Sequence, residues 1–77
     1  MIRLKGIKRS ENIVSCDGFV EDCTIPVPIT VNLDNGSFTE GKMPNGYEWC
    51  SGYGSFAANY IIDHQDELQE EYLVMWY

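Results

Sequence analysis

Long apolar runs are missing from this 77-residue chain, and none approaches the ~18 residues that a membrane-spanning helix needs. The first nine residues, Met1-Ile2-Arg3-Leu4-Lys5-Gly6-Ile7-Lys8-Arg9, lack the apolar core of a secretory signal. The expected location is therefore the cytoplasm. Basic residues are scarce, five against twelve acids, and the net charge is −7. Bare nucleic acid would be repelled by most of such a surface. Cysteine is present three times, as Cys16, Cys23 and Cys50, an odd number that does not suit a disulfide framework. Repeats, low-complexity tracts and linkers are absent, which leaves a single domain over residues 1–77. A chain this short buries only about 60% of its unfolded surface, so its core must be used economically.

What is present is a β-rich pattern followed by one helical stretch. Ile2 and Leu4 alternate with Arg3 and Lys5, the period of a strand with one wet face. Ser10-Glu11-Asn12 is a polar break. From Ile13 to Val20, one face carries Val14, Cys16 and Val20, and the other Ile13, Ser15, Asp17 and Phe19. Gly18 is expected to mark a bulge. Pro26 and Pro28 flank the start of a third strand in which Val27, Ile29, Val31 and Leu33 alternate with polar residues. Asn35-Gly36 then predicts a two-residue hairpin loop, pairing Leu33 with Phe38. Residues 40–53 read as a glycine-rich loop. Phe56, Ala57, Tyr60, Ile61, His64 and Leu68 recur at spacings of three and four. They predict an amphipathic helix of about four turns from Ser55 to Gln69, with Ser51 or Ser55 as its cap. Residues 71–77 read as a last strand that adds to the sheet, with a place beside the first strand as one option and continued helix as the alternative. The expected fold is α+β, a small antiparallel sheet of four to five strands packed on one amphipathic helix, in the order β-β-β-β-α-β.

Two groups of residues are candidate binding surfaces. Arg3, Lys5, Lys8 and Arg9 give the first nine residues a charge of +4, whereas everything after them carries −11. Five acids, Asp63, Asp66, Glu67, Glu70 and Glu71, crowd the second half of the expected helix and its immediate end. There they oppose its dipole and repel one another at i,i+4. Such a face suits a basic protein partner, although solvated acids also serve solubility alone. The second group is Tyr47, Trp49 and Tyr53 in the glycine-rich loop, with Trp76-Tyr77 in the tail. Exposed aromatics are binding hot spots, and buried ones would close one end of the core. The basic first strand has no aromatic interleaving and is a weak nucleic-acid signal.

Enzymatic chemistry finds little footing. Cys16, Cys23, Cys50 and His64 are a zinc-compatible set, but no C-x₂₋₄-C spacing holds them together, so no metal is assigned. Cys50 precedes the helix, where a thiolate would be favoured. His64 lies about three turns further on, too far to serve as its base. No cofactor motif occurs.

The chain resembles small uncharacterised proteins of Gram-positive, Firmicutes-type bacteria that are often encoded on phage-like or conjugative elements. The resemblance lies in Ile7-Lys8-Arg9-Ser10-Glu11-Asn12-Ile13-Val14, in Asp34-Asn35-Gly36 and in Glu70-Glu71-Tyr72-Leu73-Val74-Met75-Trp76-Tyr77. It implies a bacterial cytosol and a β-rich fold with one helix, and brings no activity. The sequence therefore predicts a non-enzymatic acidic interaction module. One alternative is a mobile-element accessory protein that mimics nucleic-acid charge to inhibit a host protein. Another is a structural protein, either a homodimer formed through an exposed sheet edge or a small metal binder.

Overall fold

The computed structural model describes residues 1–76, and Tyr77 lies outside the described residues. Five strands, β1 (Ile2–Ser10), β2 (Ile13–Val20), β3 (Val27–Asn32), β4 (Phe38–Glu40) and β5 (Tyr72–Val74), form one sheet in the order β4-β3-β2-β1-β5. Every neighbouring pair is antiparallel. The first four strands are a meander. One helix, α1 (Gly54–Asp63), then packs on a single face, and β5 returns to the free edge of β1. This is the expected α+β architecture.

Period-two alternation builds the core. Ile2 and Leu4, Val14, Cys16 and Val20, Val27, Ile29 and Val31, and Val74 all point to the helix side and are buried. From the helix come Ala57, Ala58 and Ile61, and from the loops Cys23, Met43 and Cys50. Gly18 belongs to this face for reasons of space. A Cβ there would stand 2.7 Å from Ile29 Cδ1 and 2.9 Å from Ile2 Cδ1. It is not a bulge.

The bulge lies across from it in β1. Lys5 pairs with Asp17 and Lys8 with Ser15, so Gly6 and Ile7 together oppose one residue of β2. Gly6 has φ of +64°, the left-handed conformation that the first residue of a glycine bulge requires. The extra residue reverses the alternation. Ile7 therefore packs against the core, whereas Lys5 and Lys8, three apart, both project from the open face.

The β3–β4 hairpin forms with a longer loop than expected. Phe38 pairs with Val31, not Leu33. The Asn32 N–H donates to the Ser37 carbonyl at 2.8 Å and the Gly36 N–H to the Asn32 carbonyl at 2.9 Å. Side-chain oxygens of Asn32 and Asn35 accept from the N–H groups of Asp34 and Ser37, each at 2.9 Å. Gly36 has positive φ and Asn35 does not, so the turn is not of the type that needs both. A slip of two residues leaves each side chain on its expected face.

The helix is shorter than its predicted four turns. It ends at Asp63, and Gln65–Glu67 form a separate 3₁₀ turn. Acids at this end oppose the dipole. Of the last helix carbonyls, Ile62 O accepts from Gln65 Nε2 at 3.0 Å, and Arg9 Nη1 reaches across to the Gln65 carbonyl of the 3₁₀ turn at 2.9 Å. Neither Ser51 nor Ser55 caps the start. The carboxylate of Glu40, at the end of β4, accepts from Gly52 N–H at 2.9 Å and Gly54 N–H at 2.8 Å. The predicted last strand is confined to Tyr72–Val74 among the described residues.

Candidate protein-interaction surface

The glycine-rich loop contains a 3₁₀ turn, Glu48–Cys50, immediately before α1. Glu48 folds back to accept from Gly46 N–H at 2.7 Å, and Trp49 Nε1 donates to the Gly46 carbonyl at 3.2 Å. These bonds hold the indole outward, and Trp49 is 66% exposed. Tyr53 follows as the residue that begins the helix. Its hydroxyl donates to Glu21 Oε2 at 3.1 Å. Tyr47 is half-buried, with its hydroxyl donating to Asp22 Oδ1 at 2.7 Å.

Tyr53 is the hub of an aromatic cluster. It meets Trp49 edge-on at 6.1 Å between centroids, Phe56 at 6.2 Å and Trp76 at 4.7 Å. Phe56 and Trp76 stack in parallel at 4.0 Å. The structure thus joins Trp49 and Tyr53 but sets Tyr47 apart as a packing and hydrogen-bonding residue. It adds Phe56, which the helical periodicity had assigned to the core. Phe56 is 38% exposed, and its place three residues after Tyr53 on a helix is the spacing that brings the two rings together. Trp76 belongs to the patch, as the tail aromatics suggested.

The five acids do not form one helix face. Asp63 closes α1, Asp66 and Glu67 lie in the 3₁₀ turn, and Glu70 and Glu71 lie in the segment leading to β5. All five are exposed. Asp63, Asp66 and Glu67 share a shallow depression of about 290 Å³ with His64, Gln69 and Tyr72. His64 stacks on Tyr60 at 4.0 Å, and its Nδ1 lies 2.8 Å from the Tyr60 carbonyl oxygen. Glu71 instead lies with Arg3 and Lys5 at the β1–β5 edge. The periodicity that grouped the five assumed a helix continuing past Asp63, and its ending disperses them.

The three cysteines form no disulfide and are buried. Burial pushes the Cys16 thiol up to about 11, with the Asp17 carboxylate adding to the effect. Burial also raises Cys50, against a lowering hydrogen bond with Tyr53. A buried, protonated thiol is a poor nucleophile. Among the described residues, no three His, Cys, Asp or Glu side chains converge as metal ligands, and no helix is long and apolar enough to cross a membrane.

The phenols behave similarly. The hydrogen bond to Asp22, followed by desolvation, pushes Tyr47 up to about 12. Burial first, then the bond to Glu21, raises Tyr53. Each of these groups holds its proton more tightly folded than unfolded. Their stabilising contribution is complete below the unfolded value, 9.0 for Cys16 and 10.0 for Tyr47, and is lost as pH rises through the folded one. The melting temperature is therefore expected to begin falling above about pH 9 and to keep falling toward pH 12. The phenolate absorbance of Tyr47 should appear above the range of free tyrosine, and Tyr47→Phe should remove that late step. A flat melting temperature across this range would contradict these assignments. No known protein family, curated protein or solved structure matches the chain, so its function must be read from its own surface.

Proposed function

We propose that this protein is a non-enzymatic, cytoplasmic interaction module that docks a basic protein partner on the patch formed by Trp49, Tyr53, Phe56 and Trp76. One observation carries the reading: four linked aromatic rings, with Trp49 and Phe56 exposed and Tyr53 and Trp76 half-buried beneath them, lie outside a core filled by aliphatic side chains and small residues. Aromatic anchors of this kind supply most of the energy of protein interfaces. Charge favours a basic partner. Glu21, Asp22 and Glu48 border the aromatic loop through their bonds to Tyr53, Tyr47 and Gly46, and the chain carries −7 overall. Dispersed acids such as Asp63, Asp66, Glu67, Glu70 and Glu71 then speed encounter rather than form the contact.

The test compares wild-type protein with Trp49→Ala and Phe56→Ala as paired baits for cell lysate, eluted with a salt gradient. A basic protein retained by the wild type is expected to lose about thirtyfold in affinity with Trp49→Ala, a hot-spot effect of about 2 kcal/mol. Neutralising Asp66 and Glu67 should mainly slow its association. A partner bound equally well by both aromatic variants but lost on neutralising the acids would instead support the charge-mimic reading.

A further inference from the structure

The helix covers one side of the sheet, and the other side is open. Across that open face, Arg3 pairs with Phe19, Lys5 with Asp17 and Lys8 with Ser15, and β3 adds Pro28 and Thr30. The face concentrates cations in a chain that has few. Arg3, Lys5 and Lys8 stand there against Asp17, with Glu71 beside Arg3 and Lys5 at the β5 edge, so the face is cationic by one charge while the whole chain carries −7. The Gly6 bulge produces this, because without it Lys5 and Lys8 would alternate to opposite faces. The second strand supplies the aromatic that the first strand lacks. The Phe19 ring is half-buried and has two of the cations over it, the Arg3 guanidinium at 5.6 Å and Lys5 Nζ at 5.8 Å. Arg3 is held in place by donating to the Cys23 carbonyl at 2.8 Å. Beside Lys8, the bulge borders a shallow depression of about 280 Å³ lined by Ser15, Asp17 and Thr30 among others.

We propose that this open face, along β1 and β2, binds a short single-stranded nucleic acid. Phe19 provides the stacking surface for one base, and Lys5 and Lys8 neutralise the flanking phosphates. Asp17 repels phosphates and peptide carboxylates alike, and what separates the two polyanions is that it can accept a hydrogen bond from a base amino group such as that of cytosine, which an acidic side chain cannot offer. Acids elsewhere on the surface limit the site to a few nucleotides and oppose a long duplex. This site is separate from the aromatic patch and of opposite charge, so either proposal can fail without the other.

The probes are fluorescein-labelled octamers of deoxycytidine and thymidine, read by fluorescence anisotropy at about 150 mM salt, where weak electrostatic binders have Kd of order 10⁻⁴–10⁻⁶ M. The cytidine octamer is expected to bind in that range, with a log–log salt slope of roughly −1.4 to −2 for two to three phosphates. Lys5→Glu with Lys8→Glu should weaken it more than tenfold. Phe19→Leu should weaken it about tenfold, the order of one lost base stack, whereas Phe19→Tyr keeps the ring and should keep binding. Asp17→Ala should abolish the preference for cytidine over thymidine. Absence of binding by either octamer overturns the proposal. So does equal binding of a labelled octaglutamate peptide, or unchanged affinity in a Phe19→Leu protein whose circular dichroism matches wild type.

Discussion

Ile61→Ala is expected to destabilise the fold by about 2–5 kcal/mol, the range for emptying a fully buried aliphatic site. The residues of α1 that face the sheet are Gly54, Ala57, Ala58 and Ile61, and all four are buried. Three are small and let the helix approach closely. Ile61, with no exposed surface, is the one large side chain they leave to fill the space. A domain of this length has roughly 4–12 kcal/mol of stability in total, so the loss would consume much of it. Phe56→Ala on the same helix is the control. Phe56 is 38% exposed and spends its ring on Trp76 at the surface, so its removal should cost under about 1.5 kcal/mol. Urea midpoints measured at constant slope separate the two. Equal losses would mean that Phe56 is a core residue, and the aromatic patch would then be part of the folding nucleus and not a docking surface.

What the sequence revealed, and what it hid, divides along a physical line. β2 and β3 were legible because one face is buried and the other wet. Val14, Cys16 and Val20, then Val27, Ile29 and Val31, repeat at the strand period. The strand character of the last segment followed from its β-branched and aromatic content, whereas its place beside β1 is given by the pairing of Tyr72–Val74 with Ile2–Leu4. The misplaced features depend on partners distant in sequence. Gly6 and Gly18 look alike in the chain, yet one supplies a left-handed residue and the other only space beside Ile29 and Ile2. Phe56 fits the apolar stripe by its spacing, but the buried side of α1 is narrower, carrying Gly54, Ala57, Ala58 and Ile61 only. Continuing the same periodicity past Asp63, where α1 ends, places five acids on one helical face. The aromatic loop was recognisable from composition, but its separation into Tyr47 on one side and Trp49, Tyr53 and Phe56 on the other required the geometry.

Glu40 is where this dependence on a distant partner has the largest local consequence. Its carboxylate ends β4 and meets the N–H groups of Gly52 and Gly54 at 2.9 and 2.8 Å. Those donors open toward the start of a helix, where a negative charge is also favoured by the helix dipole. Among the described residues no side chain of the capping position does this work, since Tyr53 makes no cap hydrogen bond. Glu40→Ala should therefore cost about 2 kcal/mol, combining a lost cap with charge-assisted bonds. Glu40→Gln keeps one acceptor and the length of the side chain, and should cost roughly half as much. Gly54 is the other half of the arrangement: a Cβ there would lie 2.7 Å from Glu40 Oε1 and 2.9 Å from Phe38 Cε2. Gly54→Ala is expected to displace the carboxylate and to cost a similar amount on its own. Combined with Glu40→Ala it should cost clearly less than the two added together, because the bond that it breaks is already gone. Amide exchange at Gly52 and Gly54 provides the second readout, and it should quicken in each single variant. Strict additivity, or protected amides in Glu40→Ala, would show that some other group holds the start of α1. In that case the link from β4 to the helix that carries Tyr53 and Phe56 would have to be sought in the packing of Phe38.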